Sequence, residues 1–203
     1  MIAIIDYGVG NLFSLAGSLK YLGLDCTVTS DKTAIDRAAR IILPGVGAFG
    51  AAAEKLSRSG LSETVIAQAK KGKPLLGICL GMQLLFDVSY EYGEHKGLGL
   101  IRGEVRSMAG DIDAGLKIPH MGWNSLIMKK PSALLKYTSE GDYVYYIHSF
   151  YAKNCAEDTT AVSDYSVEIT GAVESGNVYG TQFHPEKSGS VGLNILKAFG
   201  EIK

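Results

Sequence analysis

Cysteine, proline and tryptophan are scarce in this chain of 203 residues, at three, five and one respectively. Cys26, Cys79 and Cys155 are odd in number and widely spaced, with no C-x-x-C pair. That argues against a disulfide framework or a zinc site and for a reducing compartment. An excess of one charge is also missing. Lys and Arg total 20 against 21 Asp and Glu, a net charge of −1, so nothing electrostatic favours nucleic acid or an anionic membrane. No apolar run reaches the ~18 residues that a membrane span needs. The opening MIAIID enters a strand with no basic segment or cleavage site. The expectation is a cytoplasmic protein with no metal and no membrane or nucleic-acid partner.

Glycine, by contrast, is abundant at 25 residues, above the average usage of ~7%. Many tight loops follow, and loops are where sites are built. The length suits one domain over residues 1–203 with a sizeable core. The first half alternates between short unbroken apolar runs and helical patterns. IAIID, DCTVTS, RIILPG and PLLGIC read as strands. Leu12, Leu15, Leu19 and Leu22 mark one face of a helix that Gly23 stops, KTAIDRAA is a short helix, and LGMQLLF follows the fourth strand as helix. Ser62 is the expected cap of ETVIAQAKK, which Gly72 ends. Such alternation predicts an α/β fold with a mostly parallel, flavodoxin-like central sheet covered by helices on both faces. From about residue 97 the chain reads mainly as strands (GLGLIRGEVRSM, WNSLIM, DYVYYIHSFYA, TTAVSDYS, EITGAVESGNVYGTQF), an antiparallel extension with ESGN as a hairpin turn. Ser190 starts a last helix that Gly200 ends.

The most apolar stretch, PLLGICLGMQLLF, places Cys79 between Gly77 and Gly81 where a strand meets a helix. In parallel sheets function collects at the carboxyl ends of strands. G-x-C-x-G there is the thiol form of a nucleophile elbow, whose small neighbours let the side chain stand exposed. The N–H of Leu80 at the helix start can hold an oxyanion. The plainer alternative is a core cysteine.

A thiol nucleophile needs a base, and the base an orienting group. His184 ends the strand VYGTQF, two residues before Glu186. Positions i and i+2 of an extended chain point the same way, so Glu186 can reach the ring nitrogen remote from the thiol. A glycine-rich loop, LPGVGAFG, follows another buried strand. There Val46 or Gly47 can aim an N–H at a reacting carbonyl. His95, in the polar run EYGEHKG, reads as exposed, while His120 and His148 fit either structural or surface roles.

DYGVGN, LPGVGAF, GICLGMQLLF, IPHMGWN, YYIHSFY and GTQFHPEKSG together resemble the class I, triad-type glutamine amidotransferases. Within these they are similar to the glutaminases that serve histidine biosynthesis. The resemblance runs from residue 1 to about 200 and implies Cys79 as nucleophile, His184 as base and Glu186 as orienter. It also implies that Gln83 and Glu91 help bind glutamine, with backbone from Gly47, Ser149 and Phe150 around its amino-acid end. No cofactor is implied. A separate synthase chain is, because ammonia must be passed on; in the resembled branch it is a (β/α)₈-barrel cyclase, forming a heterodimer. Asn11 and the run with Pro119, Met121 and Trp123, which lacks strand alternation, are the expected contact, since Met and aromatic groups are enriched at interfaces.

Other readings fit less well. A dinucleotide fold fails because Phe13 stands where the last glycine of G-x-G-x-x-G belongs. An α/β-hydrolase places its acid before the histidine, whereas Glu186 follows His184. A non-enzymatic relative leaves Cys79, His184 and Glu186 without a role. A glutaminase of the aminodeoxychorismate or pyridoxal phosphate routes is the alternative within the class.

Overall fold

A computed structural model describes all 203 residues. The first half contains β1 (Ile2–Ile5), α1 (Leu12–Tyr21), β2 (Cys26–Thr29), α2 (Lys32–Arg37), β3 (Arg40–Gly45), α3 (Phe49–Arg58), α4 (Leu61–Lys70), β4 (Leu75–Cys79) and α5 (Leu80–Leu84). Short strands follow: β5 (Val88–Ser89), β6 (His95–Lys96), β7 (Glu104–Ser107), β8 (His120–Ser125), β9 (Ile127–Met128), β10 (Tyr143–His148) and β11 (Phe150–Lys153). The chain closes with β12 (Thr159–Asp164), β13 (Glu168–Ser175), β14 (Val178–Thr181), a 3₁₀ turn at Pro185–Lys187 and α6 (Gly189–Glu201).

The main sheet has eight strands in the order β2-β1-β3-β4-β14-β13-β12-β9. The first five are parallel to one another, and the last three add on antiparallel. The parallel part has the order of a doubly wound flavodoxin-like sheet, with β14 as its fifth strand. Burial on both faces explains its unbroken apolar strands. Alternate residues of β1 serve different cores. Ala3 and Ile5 join Ile35, Phe49, Leu56 and Val65 from α2, α3 and α4. Ile2 and Ile4 join Leu15, Leu19, Ile195 and Phe199 from α1 and α6. Two smaller sheets, β10-β8 and β11-β7-β5-β6, flank the main one. No helix is long and apolar enough to cross a membrane.

Several local expectations need correction. Helix α3 follows the Gly-rich loop, where the sequence reading places no helix; Phe49, Ala52 and Leu56 form its buried face. Helix α4 starts after Gly60, at φ +66°, rather than at Ser62. Gly60 is free to take that left-handed backbone, so the turn rather than a serine side chain sets the helix start. The last helix is capped at Ser188, begins one residue before Ser190 and runs through Gly200 to Glu201. The segment DYVYYIHSFYA is two strands in different sheets, broken at Ser149. The run expected to lack alternation contains β8, in which His120 is buried while Met121 and Trp123 are exposed. His95 is half-buried because its ring packs on Gly50 and Phe49.

Candidate active site

The carboxyl ends of β3, β4 and β14 meet beside a cavity of about 380 Å³ lined by Val46, Gly47, Cys79, Leu80, Gln83, Glu91, Ser149, Phe150 and His184, among others. Cys79 is the last residue of β4, opposite Gly45 of β3, and caps α5 with φ +53° and ψ −110°. A non-glycine residue held there costs about 1–3 kcal/mol, and such strain persists only where packing enforces it. The flanking glycines supply that packing. A Cβ on Gly77 would meet Gly81 O and the backbone of Met82 at 2.7 Å, and one on Gly81 would overlap the Leu43 carbonyl. Only glycine lets α5 press onto β3 and β4 closely enough to make so sharp a turn.

The thiol has weak polar neighbours. Gln182 Nε2 donates toward Cys79 Sγ at 3.7 Å, and the Ile147 carbonyl lies 3.9 Å from the sulfur. Gln182 also accepts from Gln83 Nε2 at 3.0 Å, and Gln83 donates to the Phe150 carbonyl at 2.9 Å. These bonds tie α5, the end of β14 and the start of β11 together behind the cysteine.

His184 Nδ1 lies 2.9 Å from Glu186 Oε1, with side chains only 2% and 3% exposed. The carboxylate therefore holds the proton on Nδ1 and turns Nε2 inward. Strand β10 and Ser188 fix the backbone: His184 N donates to Tyr145 O at 2.9 Å, and Ser188 Oγ donates to His184 O at 2.6 Å. Burial works against an imidazolium here. Attraction to Cys79 and to Glu186 outweighs it and raises the His184 pKa from 6.5 to about 9. Nε2 is buried without a hydrogen-bond partner of normal geometry and faces Cys79, whose polar contact and charge act with those of Glu186 to raise the pKa. The site thus favours the charged form of the ring, facing Cys79.

Glu91 reaches the cavity with one oxygen engaged, since Oε2 accepts from Phe49 N at 2.6 Å. Its other oxygen has no side-chain partner, which suits an ammonium group. Gly47, at φ +93°, takes a backbone conformation open to glycine. Pro119 lines the same cavity, while Asn11 lines a narrow crevice with Pro44, Val46, His184 and Glu186. Met121 and Trp123 are 62% and 56% exposed, away from the cavity lining. The expected site residues thus gather in one place, and the expected contact residues lie partly on its rim and partly outside it. His148, ambiguous in sequence, lines the cavity, and Gln182, Tyr92 and Lys187 join the site without having been expected there. Gln182 carries a sequence signal, because it precedes His184 by two residues, just past the end of β14. Tyr92, at φ +53°, and Lys187 reach the cavity through loop and turn geometry that no periodicity reveals.

A strained cysteine at a strand end, facing a carboxylate-oriented histidine in a doubly wound sheet, defines a class of thiol-dependent acyl-transfer sites. The glutamine amidotransferase class-I family model matches residues 3–201, and the chain belongs to that family. Its relatives include the imidazole glycerol phosphate synthase subunit HisH of Caldanaerobacter subterraneus, 49% identical over 203 residues, with 100% of this chain and 98% of that one covered. The subunit HisH of Methanothermobacter thermautotrophicus is 50% identical over 202 residues at the same coverage. Solved structures agree in fold. A glutamine amidotransferase superposes with a TM-score of 0.76 at 19% identity, covering 98% of this chain and all of that one. PurLQS from Thermotoga maritima gives 0.74 at 21%, covering 98% and 96%.

Proposed function

We propose that the chain, acting as one domain, is the glutaminase subunit of an imidazole glycerol phosphate synthase. The observation that carries this reading is the buried Glu186–His184 pair facing Cys79 at the end of β4, set in a chain about half identical to HisH subunits over its full length. Glutamine enters the cavity with its amino-acid end toward Glu91, Gln83, Gly47 and the Ser149–Phe150 backbone. The Cys79 thiolate attacks the side-chain amide carbon. Leu80 N–H and an N–H from Val46 or Gly47 hold the oxyanion, each such donor being worth ~10²–10³ in rate. His184 gives its proton to the departing nitrogen, ammonia leaves, and a glutamyl thioester remains. His184 then takes a proton from water as it attacks the thioester, releasing glutamate and restoring Cys79. Glu186 keeps the ring oriented and steadies its charge. No cofactor takes part.

Ammonia passes to a (β/α)₈-barrel cyclase held as a heterodimer partner. The cyclase uses it to make imidazole glycerol phosphate and aminoimidazole carboxamide ribotide in histidine biosynthesis, in the cytoplasm. Exposed Met121 and Trp123, with Pro119 and Asn11, meet that partner. The loop at Val46–Gly47 gives the partner a switch, because a glycine-flanked peptide can turn an N–H toward or away from the oxyanion. The test is glutamate release from glutamine by the chain, alone and with a cyclase, with and without the cyclase's ribotide. At least a tenfold rise with both is expected, reaching ~10²–10³ if a full oxyanion donor is gained. Full activity in the lone chain contradicts the switch, and no glutamate under any condition contradicts the function.

A further inference from the structure

We propose that His120 and His148 are positioning residues, forming a hydrogen-bond relay with fixed tautomers that sets the shape of the glutamine pocket. The proposal rests on the function given above. His148 lines the cavity, and in the β10-β8 ribbon it stands directly opposite His120. His148 Nδ1 lies 3.0 Å from the Phe150 carbonyl. A carbonyl only accepts, so the proton sits on Nδ1 and Nε2 of the neutral ring is an acceptor. His120 Nδ1 lies 3.0 Å from that Nε2 and must be its donor. His120 Nε2 in turn accepts from Asn124 Nδ2 at 3.3 Å, while Asn124 also donates to the Asp164 carbonyl at 2.9 Å. Each proton has one place to go.

Packing keeps the order from reversing. The His120 ring is stacked between Tyr165 at 4.1 Å and Tyr146 at 4.7 Å, so it cannot flip without opening the stack. Both rings are buried. Burial lowers the His120 pKa to about 4 and that of His148 to about 3, so neither charges near neutrality. The Phe150 carbonyl then receives two donors, His148 Nδ1 and Gln83 Nε2. Two walls of the pocket, α5 and the Ser149–Phe150 segment, are held at one atom. The relay starts on β8, the strand whose other face presents Met121 and Trp123.

Two measurements on the chain with its cyclase partner decide this. Nitrogen-15 NMR of the wild-type imidazoles should show Nδ1–H neutral rings for both residues, with no titration between about pH 5 and 8. His120→Phe, which keeps an aromatic ring but no donor, should raise KM for glutamine about tenfold at near-constant kcat, the scale of one buried hydrogen bond lost. His120→Asn places an amide N–H at the Nδ1 position and should recover most of the affinity. His120→Gln places it at the Nε2 position and should not, so this pair makes the same comparison if His120→Phe fails to fold. A ring that titrates in that range, an Nε2–H tautomer, or no KM difference between the Asn and Gln variants overturns the relay. A wild-type complex that consumes no glutamine overturns the assigned function and the positioning role together, whereas unchanged KM in a working enzyme overturns the role alone.

Discussion

Gly81 lies so close to Leu43 that a Cβ at position 81 would overlap the Leu43 carbonyl oxygen. Both groups are backbone of packed elements, so neither side can yield cheaply. Gly81→Ala should therefore destabilise the fold by about 1–3 kcal/mol or more, as overpacking does. Because the displaced helix carries Leu80 N–H and Gln83, glutaminase activity should fall further than stability. Denaturant unfolding and glutamate release check the two halves, and an unchanged unfolding midpoint in Gly81→Ala contradicts the packing argument.

Burial lowers the pKa of His184, while Cys79 and Glu186 both raise it. Cys79→Ala should thus lower it from about 9, measured by NMR titration of the ring. The stability linkage has a defined sign. The folded value of about 9 exceeds the unfolded value of ~6.5. The contribution of His184 is complete below about pH 6.5 and is lost as pH rises through about 9. Stability of Cys79→Ala should show a shallower decline across that window, and an equal slope in both proteins counts against the charge coupling.

Glu186 orients and does not exchange protons in this mechanism. Glu186→Gln should lose about 10²–10⁴ in turnover and His184→Ala about 10⁴–10⁶, following the hierarchy seen when triad members are removed. Steady-state rates of the complex test the ranking. Equal losses with intact folds contradict the division of labour.

Trp123 packs edge-on to Tyr145, with ring centroids 6.0 Å apart, yet stays half-exposed. An exposed aromatic in a position to fill a partner's pocket often anchors an interface. Trp123→Ala should weaken cyclase binding by ~2 kcal/mol or more while leaving the isolated chain's unfolding midpoint nearly unchanged. Titration calorimetry with the cyclase decides it, unchanged affinity being the contrary result.

Much of this architecture is legible in the sequence because it is local. Unbroken apolar strands alternating with amphipathic helices imply the parallel sheet, and G-x-C-x-G at a strand end implies the elbow. The closeness of Glu186 to His184 is also legible, but not its geometry: β14 ends at Thr181, and a 3₁₀ turn over Pro185–Lys187, not extended chain, brings the carboxylate to the ring. The start of α4 escapes a sequence reading because Gly60 sets it through backbone freedom, while Ser62 only looks like a cap. Helix α3 hides behind a loop signal, although Phe49, Ala52 and Leu56 carry its face. The break of DYVYYIHSFYA between two sheets, and the His120–His148 contact across 28 positions, depend on partners far away in sequence. No window of the chain contains them.

The central claim is that Cys79 alone among the three cysteines carries the reaction. The direct measurement is glutamate release by the cyclase complex, with ribotide present, for Cys79→Ala, Cys26→Ala and Cys155→Ala side by side. Cys155 is buried and its thiol is pushed up by that burial, and half-buried Cys26 is likewise raised, so neither makes a ready nucleophile. The account predicts that Cys79→Ala loses about 10⁴–10⁶ in turnover while folding normally, and that the other two variants keep most of theirs. Ordinary turnover in Cys79→Ala would contradict it.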